Sequence, residues 1–348
     1  MSAVAAARAP QAPHAPRVRG SRALLLTAGI VGAALLLVLA VGLSMAVGAK
    51  PVPLGDVWSA LRHPDDSYVS TVVASRIPRT QLGVVVGAAL AVAGVVIQGL
   101  TRNPLGDPGL LGVNAGASAS VVLAIALLGP AVGRSVWAAI PGALLAAVAV
   151  YLIGSGGRRA TPVRLVLAGA AVSAVLVALV EAVSLTQPQV FDSYRVWVVG
   201  SLAGRSPEVV GQVLPFVVAG VLLALLLARQ LNALALGDES ATSLGLHAGR
   251  TRLLGGLAAT VLCAAAVAAV GPIAFVGLAV PHVVRSFTGS DHRWMLPYCA
   301  LLGPVLLLAS DVVGRVVARP GELMVGAVTA FVGAPFLIAA VRRGRVGV

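Results

Sequence analysis

The sequence predicts an all-α, polytopic membrane protein of ten spanning helices, and three observations carry that prediction. Hydrophobic residues make up 58% of the 348-residue chain and charged residues only 11%, whereas a soluble domain carries roughly a quarter charged residues. The apolar residues fall into runs near the roughly 20 residues that a helix needs to cross a bilayer. Basic residues are shared unevenly between alternate loops, the pattern that orients membrane proteins. A mean hydropathy of +0.97 excludes an ordinary water-soluble enzyme.

Residues 1–22 are rich in Ala, Pro and Arg, carry Arg8, Arg17, Arg19 and Arg22, and lack apolar periodicity, which reads as a disordered basic tail. The remainder, 23–345, reads as one membrane domain. The run from Ala23 to Val47 exceeds a signal-peptide core and is read as a retained first helix. Gly, Pro and charge clusters then cut further segments near 80–100, 109–128, 135–153, 164–185, 208–228, 252–270, 273–287, 296–317 and 323–341, of which 273–287 is unusually short. An even number of spans places both termini on one side. Loops on that side hold sixteen of the 25 basic residues and four of the 12 acidic ones, so both termini are expected in the cytoplasm and the chain in the cell membrane. The pI near 11.4 then reflects topology and anionic headgroups, and a nucleic-acid partner is not expected.

The residue inventory removes most chemistry. Lys50 is the only lysine and stands outside any glycine-rich loop, so the chain has no P-loop; ATP-driven work requires another subunit. Cys263 and Cys299 lie in apolar runs and read as core thiols. His247, His282 and His292 sit on different loops without a second ligand at metal spacing, and no nucleophile elbow appears. Glu181, Asp311 and Glu322 form no carboxylate pair, and none lies near a helix centre, where an ion-coupled carrier would need one. Neither an enzyme nor a chain with its own metal or cofactor is expected.

Four stretches are too specific to be connectors. Arg76-Ile77-Pro78-Arg79 opens the second span on the outer side, where two guanidinium groups at a helix start invite an acidic partner, or else anchor lipid headgroups. From Gln98 through Asn103, Pro104, Leu105, Gly112 and Gly116, prolines and glycines predict broken backbone buried in protein, following a small-residue helix from Gly87 to Gly94. Residues 236–246 predict a short surface helix capped by Asp238, with Glu239 in its first turn and Gly245 at its end. Such a helix is too short to stand alone, and its small residues, Ala241 among them, suit a groove on a cytoplasmic partner; a satisfied turn with no partner is the other reading. Finally, 271–345 contains Gly277, Pro281, His282, Glu322, Gly333 and Pro335, together with Asp311 and Arg315, which are four apart and can neutralise each other.

Taken together, these blocks resemble the permease family of ABC importers for ferric siderophores, haem and cobalamin. The matching residues are Arg76-x-Pro78-Arg79, Gly87 to Gly94, Gln98, Arg102-Asn103-Pro104-Leu105, Leu111-Gly112-Val113, Gly116, Gly237-Asp238, Ala241, Leu244-Gly245, Gly271 to Leu278, Pro281-His282, Arg285, Asp311, Arg315, Glu322, Gly326 and Gly333-Ala334-Pro335. The likeness covers about residues 23–345. It implies the type II importer permease fold of ten helices, a second permease copy or a non-identical partner permease, two ATPase subunits that bind ATP and Mg, and an external substrate-binding protein. Arg76, Arg79 and Arg315 match positions that meet glutamates of that binding protein. Residues 237–246 match the coupling helix that sits in an ATPase cleft. Within the family, 103–116 and Trp197 to Arg205 look most like ferric-enterobactin-type permeases, which leans the cargo toward a ferric siderophore, with haem and cobalamin as alternatives.

Overall fold

The computed structural model describes residues 19–132, 135–156 and 161–342, and among these there is no strand. The helices are α1 (Arg19–Ala46), α2 (Leu54–Arg62), α3 (Tyr68–Thr101), α4 (Val113–Leu128), α5 (Val136–Ser155), α6 (Pro162–Thr186) and α7 (Pro188–Val198). They continue as α8 (Glu208–Leu226), α9 (Ala228–Ala235), α10 (Asp238–Ser243), α11 (Ala248–Val270), α12 (Val276–Thr288), α13 (His292–Val317) and α14 (Val325–Arg342). Each of the ten expected segments falls on a helix. Seven of these, α1, α3, α5, α6, α8, α11 and α13, are long and apolar enough to cross a bilayer. The others are shorter, with 16 residues in α4, 13 in α12 and 18 in α14.

Two expected boundaries move. The first helix starts at Arg19, so the last four residues expected in the basic tail are helical; residues 1–18 and the end of the expected domain at 343–345 lie outside the described residues. The second apolar helix starts at Tyr68 rather than near 80, because Ser67 caps it by accepting from the Ser70 amide at 3.2 Å. Val69, Val72, Val73 and Ile77 then fall at helical spacing and pack on Met45, Val52 and Val57 in a small core under α2. Pro78 is accommodated inside α3. Arg76 and Arg79 therefore lie two turns inside a helix and not at its start.

The 34 residues of α3 make a rod about 51 Å long at 1.5 Å per residue. Its most apolar stretch is 83% buried. Missing side chains make this possible, because backbones approach closely only where small residues meet. A Cβ on Gly87 would lie 2.6 Å from backbone atoms of Pro304 on α13, and one on Gly94 would overlap the Gly277 backbone on α12. Gly116 of α4 and Gly142 of α5 face each other in the same way.

Two stretches of broken backbone join packed helices among the described residues. After α3, Arg102 takes the left-handed conformation, a 3-10 turn at Pro108–Leu111 follows, and Gly112, at φ +73°, leads into α4. Between α11 and α12, the Val270 carbonyl accepts from the Ser201 amide at 2.8 Å, which replaces the bond that continuing helix would have made. Phe275, also left-handed, begins α12, and Gly333 of α14 leaves room for its ring.

The glycine contacts give a direct test. Gly94→Val is expected to cost at least about 3 kcal/mol, since overpacking a backbone contact cannot relax by rotamer change. Gly42→Val, where nothing lies within 4 Å of the new carbon, is expected to stay near the wild type. Thermal unfolding of both variants in detergent checks this.

Candidate functional site

The sequence-predicted residues gather at the two ends of α3. Arg79 and Arg102 are 23 residues apart, which corresponds to about 35 Å along a helix, close to a bilayer's hydrocarbon thickness.

At the Arg79 end, α1, α3, α13 and the segment before α14 are tied together by guanidinium groups. Asp311, 1% exposed, accepts from Arg79 Nε at 2.9 Å and Nη2 at 2.8 Å and lies 3.1 Å from Arg315 Nη2. Arg79 also donates to Glu322 Oε2 at 2.7 Å. Arg315, 2% exposed, donates to the Ser44 carbonyl at 2.9 Å. Arg76 donates to the carbonyls of Met45 at 2.7 Å and Ala46 at 3.1 Å, at the end of α1, and to that of Lys50 at 2.7 Å in the turn that follows. The expected i,i+4 pair of Asp311 and Arg315 is present, and Arg79 joins it. The arginines read from sequence as an outward-facing set are instead turned into the chain; Arg76 and Arg315 are both buried.

These residues line a cavity of about 630 Å³, together with Lys50, Tyr68 and Arg319. Lys50, Arg76, Arg79, Arg315 and Arg319 outnumber Glu322 on its wall and Asp311 behind it, so the cavity is strongly positive. Sequence reasoning missed Arg319, which donates to the Gly48 carbonyl at 2.6 Å, because nothing in a one-dimensional pattern shows where α1 ends relative to α13.

At the Arg102 end, the Arg102 guanidinium donates through Nε to the Leu234 carbonyl at 2.8 Å and pairs through Nη2 with Asp238. Arg252 of α11 donates to both Asp238 oxygens, at 2.7 and 2.9 Å. Partial burial raises the Asp238 carboxyl, but the hydrogen bonds and charges of Arg252 and Arg102 hold it below the usual carboxylate range. Asp238 therefore does not cap α10, as the sequence suggested; the cap is Gly237, at φ +115°, and the carboxylate is spent on arginines. Gly245 ends the helix as expected. Its amide donates to Thr242 at 2.9 Å and that of Leu246 to Ala241 at 3.0 Å, a Schellman closure that needs the left-handed Gly245.

The face that α10 offers also differs from expectation. Ala241 is fully buried against its own chain and anchors the helix, whereas Leu236 is 69% exposed and Leu244 64% exposed, beside exposed Glu239. Nearby, Gln98 joins α3 to α12 by donating to the Gly277 carbonyl at 3.2 Å and accepting from Arg285 at 2.8 Å. Asn103 accepts from the Leu105 amide at 2.9 Å and shapes the turn, in which Pro104 is half-buried and Leu105 exposed. Pro281 is buried within α12 and His282 is half-buried beside it; on α14, Gly333 is buried and Pro335 exposed. A second cluster escaped sequence reading because α9 was taken for a loop. There Asn232 donates to Asp291 at 2.7 Å and accepts from the His292 amide at 2.8 Å, and Arg293, followed by Asn232, holds the Asp291 carboxyl down to about 2.

Among the described residues no group of three His, Cys, Asp or Glu side chains could hold a metal. The two ends can do different things: one is a positive cavity, the other a short polar helix flanked by the exposed Leu236 and Leu244. Asp311→Asn is expected to cost about 3–5 kcal/mol, because it leaves the buried Arg315 guanidinium without a counter-charge and Arg79 with Glu322 alone. Glu322→Gln, at a 36% exposed partner, is expected to cost at most about 1 kcal/mol. Unfolding midpoints in detergent distinguish the two.

Comparison with known proteins places this geometry. The FecCD transport family matches residues 22–343. The chain is 49% identical to the ferric enterobactin transport system permease protein FepD of Escherichia coli (strain K12), over 93% of this chain and 98% of that one. It is 39% identical to the Fe(3+)-citrate import system permease protein YfmD of Bacillus subtilis (strain 168), over 95% and 98%. A solved metal-chelate type ABC transporter in an inward-facing conformation superposes with a TM-score of 0.78 at 28% identity, over 91% of this chain and 99% of that one. A multi-pass helical chain with this match across nearly its whole length belongs to the FecCD transport family of permeases.

Proposed function

We propose that this chain is the transmembrane permease subunit of an ABC importer that moves ferric-siderophore complexes into the cytoplasm. The observation that carries the reading is the family match over residues 22–343 combined with a surface helix, α10, and a positive cavity at opposite ends of one buried helix, whose Arg79 and Arg102 are about 35 Å apart. Identity to permeases named for ferric enterobactin and ferric citrate supports a ferric chelate as cargo. Ten membrane passes, with both termini cytoplasmic, agree with the excess of arginine in the loops at the α10 side.

In this reading the chain pairs with a second permease, identical or not, and two ATPase subunits hold ATP and Mg outside it. Leu236, Glu239 and Leu244 meet the ATPase, while Gly237, Ala241 and Gly245 shape and seat the helix that carries them. The positive cavity faces the substrate-binding protein. Arg76, Arg79 and Arg315 already have internal partners, so their part in docking is the field they create, which steers an acidic surface and sets its register. Each ATP-driven movement of α10 reaches the bundle and alternately opens the path to either side. The cargo undergoes no covalent chemistry.

Uptake into proteoliposomes with ATPase, partner permease and binding protein tests the reading. Iron in one siderophore is expected to accumulate only with internal ATP and binding protein. Haem or cobalamin accumulating instead would overturn the cargo, and uptake driven by an ion gradient without ATP would overturn the mechanism. Leu244→Asp is expected to release the ATPase on co-purification, since it places a charge in an apolar contact.

A further inference from the structure

α10 has six residues, too few to be stable by helix propensity, and its one buried side chain is Ala241. What fixes it is ionic. The Asp238 carboxylate is shared by Arg102, at the end of α3, and Arg252, in the second turn of α11. Arg102 is itself held in plane by the Leu234 carbonyl of α9. Three helices thus meet at one carboxylate, and α9 joins them through Arg102. Arg252 is the buried member, its side chain 10% exposed, while Arg102 and Asp238 are 37% and 47% exposed. Arg252 Nε is buried without a hydrogen-bond partner, so Asp238 is what this guanidinium depends on for compensation.

We propose that Arg102, Asp238 and Arg252 form an ionic latch that makes α10 move as one body with α3 and α11, and that Arg102 and Arg252 are positioning residues for transport. This rests on the importer reading above. α3 packs against α8, α11, α12 and α13, so a displacement delivered at Arg102 enters the most buried helix of the bundle directly. Close-packed glycine contacts along α3 cannot absorb it by local deformation. The hydrogen bonds to Asp238 are charge-assisted at both partners, the stronger class of polar contact, and the depressed Asp238 carboxyl keeps them formed throughout the neutral range. The latch is separate from the ATPase contact itself, which the exposed Leu236 and Leu244 supply.

The test uses the complete transporter in proteoliposomes, with Asp238→Asn, Arg102→Gln, Arg252→Gln and the Arg102→Gln/Asp238→Asn double variant. Two quantities are read: ATPase co-purification, and ATP hydrolysed per ferric complex imported. Each single variant is expected to keep the ATPase bound and hydrolysing while the ATP used per import rises about tenfold, the scale of one lost charge-assisted bond. The double variant is expected to be no worse than the singles, because partners in one interaction are not additive. Asp238→Glu, which keeps the carboxylate, is expected to recover most of the coupling and shows that the loss is not one of folding. Unchanged ATP use, losses that multiply in the double variant, or release of the ATPase by Asp238→Asn would each overturn the latch. A wild-type chain without ATP-driven uptake would instead overturn the importer reading, before any variant is compared.

Discussion

Hydrocarbon offers no hydrogen bonds, so a chain that breaks its helices or carries charge within the membrane must answer those groups with its own atoms. In this protein the answer is organised around α3. Gly87 and Gly94 bring its backbone against α13 and α12, so that the break at 271–275, just before α12, lies against the bundle. The Ser201 and Val270 peptide groups meet for the same kind of reason, since a Cβ on Gly271 would overlap the Trp197 carbonyl. Close contact at glycines is thus a condition for the irregular backbone that the fold uses.

The same helix sets the electrostatics. Each end carries arginines that are over-supplied relative to carboxylates. Asp311 serves Arg79 and Arg315 at one end, and Asp238 serves Arg102 and Arg252 at the other. One carboxylate between two guanidinium groups leaves net positive charge while satisfying most donors, so each junction is held together and still presents a field. At the cavity end that field suits an acidic partner protein. At the α10 end the two guanidinium groups fasten a helix too short to hold itself. Specific function therefore rests on junctions between helices, while the helices themselves are stabilised by generic apolar packing.

Sequence pattern exposed the membrane spans because apolar runs of bilayer length are an unambiguous signal, and each expected segment is helical. It also exposed the small-residue face of α3, the broken stretch after Arg102, the Asp311 and Arg315 pair and the Gly245 stop. The start of α3 was hidden because Pro78 and two arginines look like an interruption, and only the Ser67 cap and the Val69 to Ile77 spacing argue otherwise. The partners of Arg76 were not legible, since backbone carbonyls at the end of α1 leave no mark on residue identity. Ala241 looked like an exposed contact because a small residue on a short polar helix is equally compatible with burial, and only packing decides. The pairing of Arg252 with Asp238 was not legible either, because it depends on how the turn after Gly245 folds α11 back beside α10.

The ionic latch makes α10 and the end of α3 one rigid junction through which the two faces communicate. Spin labels introduced by Asn103→Cys and Ser243→Cys, both at exposed positions and distinct from the buried Cys263 and Cys299, report on it directly in the complete transporter. Pulsed distance measurements with ATP trapped and with ADP are expected to show an unchanged 103–243 separation, while the separation between the 243 labels of paired permeases shifts. A 103–243 separation that changes with nucleotide would contradict the account, because α10 would then be sliding on α3 rather than moving with it.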